Sequence, residues 1–354
     1  MKRKFLLFTA IITSLLFISC RSIRVIDVET YNPSAITFPP EIKTVMIVNN
    51  SAQQSDNIGH RYESNVKRDS VLSISTDSTA YYFCRALGKS MLESKIFDDI
   101  RLCEDTLRTD SLFYNVKPFS ANKVRELCDD YEVDGIISLD KLFFSTLYQE
   151  FPSIHFNTYN TSLKMQISGE VRALWPGQKE AFVVPFLDTL SWIDESDLYH
   201  VIIDAIQNLK FTNILLYLSE YTGQNMHVNF VPFWVREKRW YYTAITSEWK
   251  RGTAYAVVEK WGQAAEIWEP LFGRTNKWKQ KARLASNLAV CYEMTGDFKK
   301  AAEYAEISHS IFKESDIEGS SYTAIQRSYI EILKKRIDSD KILTQQLNKG
   351  EAFE

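Results

Sequence analysis

The sequence predicts an α+β protein, with a small mixed α/β domain followed by an all-helical domain. Three observations predict it. Between residues 42 and 140, short β-branched runs alternate with stretches of helical apolar spacing. From Ser162 to Ile193 an apolar/polar alternation of period two runs out and back through a Pro-Gly turn. From Ser196 onward the apolar spacing becomes three and four, and stays so. The 354 residues suffice for two domains, and 45% hydrophobic with 25% charged residues is ordinary for globular protein.

The chain opens on Lys2, Arg3 and Lys4, then an apolar run from Phe5 to Ile18 broken only by Thr9, Thr13 and Ser14. As a helix this run would span about 21 Å, short of the roughly 30 Å of a bilayer core. A basic start, a short apolar run and a small residue at its end mark residues 1–19 as a secretory signal peptide. Ser19 then Cys20 resembles a lipobox, in which a small residue precedes the cysteine that becomes acylated. Phe17 stands where leucine is usual, as in the looser lipoboxes of Bacteroidota. The resemblance implies a thioether-linked diacylglycerol on Cys20 and an acylated amino terminus. Several chains anchor stably where one is marginal. Arg21 and Ser22 supply neither the aspartate of inner-membrane retention nor an acidic surface-export run. The expected place is therefore the outer membrane, lipid-anchored and facing the periplasm. Residues 20–41 hold Pro33, Pro39 and Pro40 without a clear period and read as a tether.

The α/β domain is expected over 42–194. "TVMIVNN" (Thr44 to Asn50) is a buried strand. Residues 51 to 77, rich in Ser, Asn, Asp and Gln, read as a long loop. Ala80, Phe83, Leu87 and Met91 place a helix over about 78 to 94, and "FDDIRL" is a strand. Ser120 is an N-cap candidate ahead of Val124, Leu127, Cys128 and Tyr131, which share one helical face. "VDGIISLD" is another buried strand. In "SLKMQISGEVRAL", Leu163, Met165, Ile167 and Val171 take one face against Lys164, Gln166, Ser168, Glu170 and Arg172. "WPGQKE" turns the chain and "AFVVPFLDTLSWI" returns it. The order, together with "YEVDGIISLD", resembles the small α/β domain of outer-membrane lipoproteins of the curli-secretion and penicillin-binding-protein-activator types.

The helical domain is expected over 195–354. Tyr199, Ile202, Ala205, Ile206, Leu209, Leu215 and Leu218 suggest one long helix, or two broken near Phe211. "FVPFWVREKRWYYTA" is dense in aromatics, and its Pro232 suits a helix first turn. "NLAVCYEMTGDFKKAAEYA" resembles a tetratricopeptide repeat, with Leu288, Ala289, Tyr292, Gly296, Phe298 and Ala301 at the family's positions. Gly252, Tyr255, Trp261, Ala264 and Trp268 form a looser upstream copy. The two copies lie 37 residues apart, near the family period of about 34. "SSYTAIQRSYIEILKKRI" would cap the stack. The resemblance implies a surface for a protein partner.

Chemistry-bearing motifs are sparse. His60, His155, His200, His227 and His309 show no metal-ligand spacing, and Asp98-Asp99 and Asp129-Asp130 read as solvated surface. There is no nucleophile elbow, no P-loop and no dinucleotide fingerprint, so no catalytic residue, metal or cofactor is expected. The formal net charge of −3 contains the signal's three cations, and the more acidic remainder disfavours nucleic acid. Cys84, Cys103, Cys128 and Cys291 have no CxxC spacing, and Cys84 and Cys128 fall on apolar helical faces. A disulfide among Cys84, Cys103 and Cys128 stays open. Ser70, Ser78, Thr106, Ser111 and Thr189 each follow an aspartate, resembling the O-glycosylation acceptor sites of Bacteroidota. Asp-Ser is turn chemistry too. The whole arrangement resembles an uncharacterised family of Bacteroidota outer-membrane lipoproteins with a tetratricopeptide-like carboxyl half. The expectation is a scaffold or adaptor for an unknown protein partner in the cell envelope. The alternative is an accessory subunit that regulates an envelope enzyme or secretion pore through the α/β domain.

Overall fold

The computed structural model describes residues 23–64, 69–105, 107–108, 110, 112–152, 159–194, 211–315 and 321–347. The signal peptide, Cys20, Thr106, Ser111 and the stretch from Ser196 to Leu209 lie outside them. The chain divides into two units: Pro33–Phe233 with Leu343–Glu354, and Met1–Asn32 with Trp234–Ile342. The α+β class holds, with a mixed sheet in the first of these and helices from residue 247 onward in the second.

In the α/β unit, β-branched and apolar residues with no polar alternation build strand β2 (Thr44–Asn49). Val45 and Ile47 enter one core, Met46 and Val48 the opposite one. A strand buried on both faces needs cover on both. Helix α1 (Thr79–Glu93) and helix α3 (Phe211–Met226) supply one layer through Phe83, Leu87, Leu215 and Leu218. Helix α2 (Ala121–Tyr131) supplies the other through Val124, Leu127 and Cys128. Ser120 caps it as expected, its side chain accepting from the Lys123 amide at 3.3 Å.

The sheet has seven strands among the described residues. β3 (His60–Ser64), β4 (Ser70–Val71), β5 (Asp99–Leu102), β6 (Gly135–Pro152), β7 (Tyr159–Leu174) and β8 (Phe182–Asp194) join β2, and the main path runs β4-β3-β6-β2-β5. β6 is long enough to pair twice along one side. Gly135–Leu139 runs parallel to β2, and Thr146–Glu150 runs parallel to β3. Between those stretches no strand flanks Phe144. The side-chain amide of Gln54 does instead, donating to the Phe144 carbonyl at 2.9 Å and accepting from its amide at 2.7 Å. On its other side β6 pairs with β7 along its length, with a bulge at Asp140, and β7 pairs with β8. The expected alternation of β7 holds: Leu163, Met165, Ile167 and Val171 are all buried.

The bulge turns Asp140 inward. Its carboxylate meets Arg172 Nε at 2.6 Å and accepts from Ser138 Oγ at 2.6 Å and Asn50 Nδ2 at 2.9 Å. Burial pushes its pKa up despite these donors. Residues 51–77, expected as a loop, contain β3 and β4, and they bury His60, Ile74 and Thr76. His60 Nδ1 sits 2.9 Å from Thr146 Oγ1, and burial depresses the imidazole pKa to about 4, so the ring is neutral.

The helical unit starts from a ribbon where a tether and a helix start are expected. The tether holds strand β1 (Ile23–Asn32), and the aromatic segment read as a helix start is strand β9 (Phe233–Tyr242). The two form a two-stranded sheet. Glu29 meets Arg236 and Asp27 meets Lys238, so the strands run antiparallel. Helices α4 (Ser247–Val257), α5 (Trp261–Arg274), α6 (Trp278–Met294), α7 (Phe298–Ser315) and α8 (Ser321–Leu347) follow in succession.

The four described cysteines are free and buried, which answers the open disulfide question for Cys84, Cys103 and Cys128. Burial, with Cys103 nearby, pushes the Cys84 thiol up to about 12. Burial likewise pushes Cys128 to about 11, so both are protonated packing groups.

Replacing Arg172 with alanine leaves the Asp140 carboxylate buried and uncompensated. Urea unfolding of Arg172→Ala is expected to show a loss of about 3–5 kcal/mol. Under about 1 kcal/mol, the scale of an exposed pair, would mean the carboxylate is not held as described.

Candidate functional site

The residues of the repeat signature meet in the helical unit. Gly252, Ala264 and Trp268 pack α4 against α5, and Leu288, Ala289 and Ala301 pack α6 against α7; all are buried. Gly252 is required by contact, since a Cβ there would lie 2.3 Å from Trp268 Nε1. Trp268 is itself fully buried and donates to the Trp249 carbonyl at 3.3 Å. Trp261 is buried with them, and Tyr255, Tyr292 and Phe298 line the same contacts half-buried.

Both hairpins turn by one device. After α4, the Lys260 amide bonds the Tyr255 carbonyl and the Glu259 amide bonds that of Ala256. After α6, Asp297 bonds Tyr292 and Gly296 bonds Glu293 in the same way. Each is a Schellman closure with a left-handed residue past the cap. Gly296 has φ 85°, and Glu259, 37 residues earlier, has φ 59°. The two closures thus share one geometry at a separation of 37 residues.

Tyr292 belongs to a polar cluster that joins α5, α6 and α7. Its hydroxyl donates to Glu269 at 3.1 Å, as does that of Tyr304 at 2.9 Å. Lys300 Nζ lies 4.0 Å from the centre of the Tyr292 ring. Burial works against the charge on Glu269, but hydrogen bonds from Tyr304, Lys300 and Tyr292 hold its carboxyl below the usual range.

A deeper network fixes β9. Arg239 is 1% exposed and donates to Glu293 on α6 at 2.7–3.0 Å through Nη2 and Nε, and to Glu237 at 2.7 Å. Tyr329 on α8 donates to the same Glu293 at 2.7 Å. Burial opposes the charge on Arg239, yet Glu293 and Glu237 raise its pKa overall. Asn287 on α6 accepts from the Tyr242 amide at 2.6 Å and donates to its carbonyl at 2.8 Å. None of these residues was singled out from the sequence.

Beside this ribbon lies a groove of about 580 Å³. Buried Tyr241, Ala256 and Trp261 lie beneath it, and Ile26, Val257 and Met294 give it exposed apolar surface. Arg24, Asp27, Glu29, Arg236 and Glu259 stand around it. Asp27 and Glu29 are held in cross-strand pairs, at 3.0 Å to Lys238 and 3.4 Å to Arg236. Tyr241 is buried, which raises its pKa, and Arg24 lies against its hydroxyl. Glu259 is exposed and has no ion-pair partner among the described residues.

Other expected sites are placed but not gathered. Ser70 and Thr189 are exposed on strands β4 and β8, and Ser78 is exposed at the start of α1. Thr189 accepts from Gln166 Nε2 at 3.1 Å. Among the described residues, no three of His, Cys, Asp and Glu are placed to hold a metal ion, and no helix is long and apolar enough to cross a membrane.

A family model described as domain of unknown function DUF8603 matches residues 42–242, and a second, DUF6340, also of unknown function, matches residues 250–335. No curated protein matches the chain. Among solved structures, the PelC dodecamer from Paraburkholderia phytofirmans is similar at 7% identity, covering 58% of this chain and 96% of its own, with a TM-score of 0.25. An uncharacterized protein is similar at 12% identity, covering 55% of this chain and 97% of its own, with a TM-score of 0.23.

The packing of the repeat glycine is open to test. Gly252→Ala is expected to cost about 1–3 kcal/mol in thermal or urea unfolding through overpacking against Trp268, with Trp268→Phe in the same chain relieving part of it.

Proposed function

We propose, for a chain that belongs to the DUF8603 family, a non-enzymatic role as a protein-binding adaptor of the cell envelope, anchored by lipid on Cys20 and engaging its partner through the helical unit. The groove beside β1 and β9 carries this reading. Partly exposed Ile26, Val257 and Met294, lying over buried Tyr241 and Trp261 and ringed by Arg24, Arg236, Asp27, Glu29 and Glu259, have the layout of a small protein interface: an apolar centre within a larger polar rim. Arg24 and Arg236 on the rim belong to the residue types that dominate binding energy. Its opening admits side chains of a folded or extended partner, and both signs of charge on the rim give register.

The anchor rests on the first twenty residues. A basic cluster, a short apolar run and Ser19-Cys20 are the chemistry of an acylated cysteine. Lipid on Cys20 would hold the chain at the outer membrane, where its partner is expected.

Two experiments test the proposal. Val257, on the groove wall and 44% exposed, is replaced by a photo-crosslinking amino acid in cells, with Leu92 on α1, 52% exposed, as the control. A discrete protein adduct from position 257 that is absent from position 92 is the expected result. No adduct, or the same adducts from both, removes the adaptor reading. Cys20→Ala is expected to abolish incorporation of a labelled fatty acid and to release the chain from the membrane fraction. Continued partition with membranes would remove the anchor.

A further inference from the structure

The groove has an unusual wall. β1 pairs with β9 and with no other strand among the described residues, so one side of β1 has N–H and C=O groups with no ladder partner. Four consecutive residues, Ile26 to Glu29, line the groove. Successive side chains of a strand point to opposite faces. A cleft that touches all four therefore runs along the strand's edge rather than over one face. Facing it are Val257, Glu259 and Trp261, from the α4–α5 turn. At the far end of β1 the Tyr31 carbonyl already accepts from Arg336 at 3.0 Å, so the open stretch is the one upstream.

Glu259 provides an independent observation. Its counterpart in the second hairpin, Gly296, has a glycine's freedom at positive φ, whereas Glu259 holds φ 59° with a full side chain. The left-handed region disfavours such a residue, and glycine there would be easier. Lys95 after α1 and Glu132 after α2 hold φ 58° and 49° in the same way, so the backbone alone does not single Glu259 out; its exposed carboxylate does. The carboxylate stands on the groove wall without an ion-pair partner among the described residues.

We infer that the groove receives an extended segment of a partner protein, which adds to β1 as a third strand and sets a Lys or Arg side chain against Glu259. The inference rests on the adaptor reading of the same groove. An extended chain is the occupant that offers alternating donors and acceptors at strand spacing, so it satisfies the open edge in full. A helix would satisfy none of those groups. Main-chain pairing supplies affinity, and the exposed apolar groups of Ile26, Val257 and Met294 meet alternate side chains.

The test uses the full chain and a displayed library of random decapeptides. Enriched peptides are expected to alternate apolar and polar residues, with Lys or Arg at one fixed position. Their binding should slow hydrogen exchange at the amides of Ile26 to Glu29. Glu259→Gly should raise the thermal unfolding midpoint, because the strain is relieved, and weaken capture of these peptides at least tenfold. Glu259→Gln keeps the strained backbone without the charge; it should weaken capture equally and leave the midpoint where it was. Enrichment of acidic, helically spaced or unpatterned peptides, no enrichment at all, or full capture by Glu259→Gly each overturns the inference. A dimer of this chain that Glu259→Gly dissolves would assign the groove to a second copy and overturn it as well. If position 257 still crosslinks a protein in cells after any of these outcomes, the adaptor reading stands without the third strand. If position 257 crosslinks nothing, both fall.

Discussion

One buried charge holds the helical unit in its form. Arg239 sits on β9 with almost no exposure, and Glu293 on α6 is its principal partner. Taking both ions out of water is costly, and removing either one alone would leave the other uncompensated. The geometry meets the cost with a bifurcated guanidinium–carboxylate contact and a second carboxylate, Glu237. Tyr329 adds its hydroxyl to Glu293, so one carboxylate ties β9, α6 and α8 together. The ribbon is two strands wide, too few to be stable alone. It stands because this network and Asn287 fasten β9 to the helices, and the groove exists because the ribbon stands.

A second habit recurs in both units. Where a buried stretch of strand lacks a neighbour, a side-chain amide takes the neighbour's place. Gln54 does this for Phe144 on β6, and Asn287 does it for Tyr242 on β9. Each supplies one acceptor and one donor, the pair a missing strand would have given, and so avoids orphaned backbone groups in the core. The open edge of β1 stands in contrast. It borders an open groove, where water can satisfy the backbone groups and no such plug is required.

Much of the fold was legible in local pattern. The alternation of β7, the face of α1, the Ser120 cap and the two helical hairpins all follow from residues near one another in the chain, and all appear where the spacing puts them. β9 was misread for a physical reason. Its inward-facing side includes Glu237 and Arg239, so hydropathy does not alternate although burial does. Pro232 and the crowd of aromatics then suggested a helix start. β1 was missed in the same way, since exposed Val25 breaks the pattern that buried Val28 and Thr30 would have made.

By itself the sequence determined the class and the two helical hairpins at 252–271 and 287–305, because each depends on contacts within a turn or a hairpin. Tertiary structure decided which segments share a unit. Thr30 bonds the Val235 carbonyl across 205 residues, and no periodicity within either segment encodes that partner. The candidate groove lies along this long-range pairing. Its floor comes from β9, α4, α5 and α6 and its edge from β1, so the site becomes visible only once distant segments have been brought together by burial and by the Arg239–Glu293 pair.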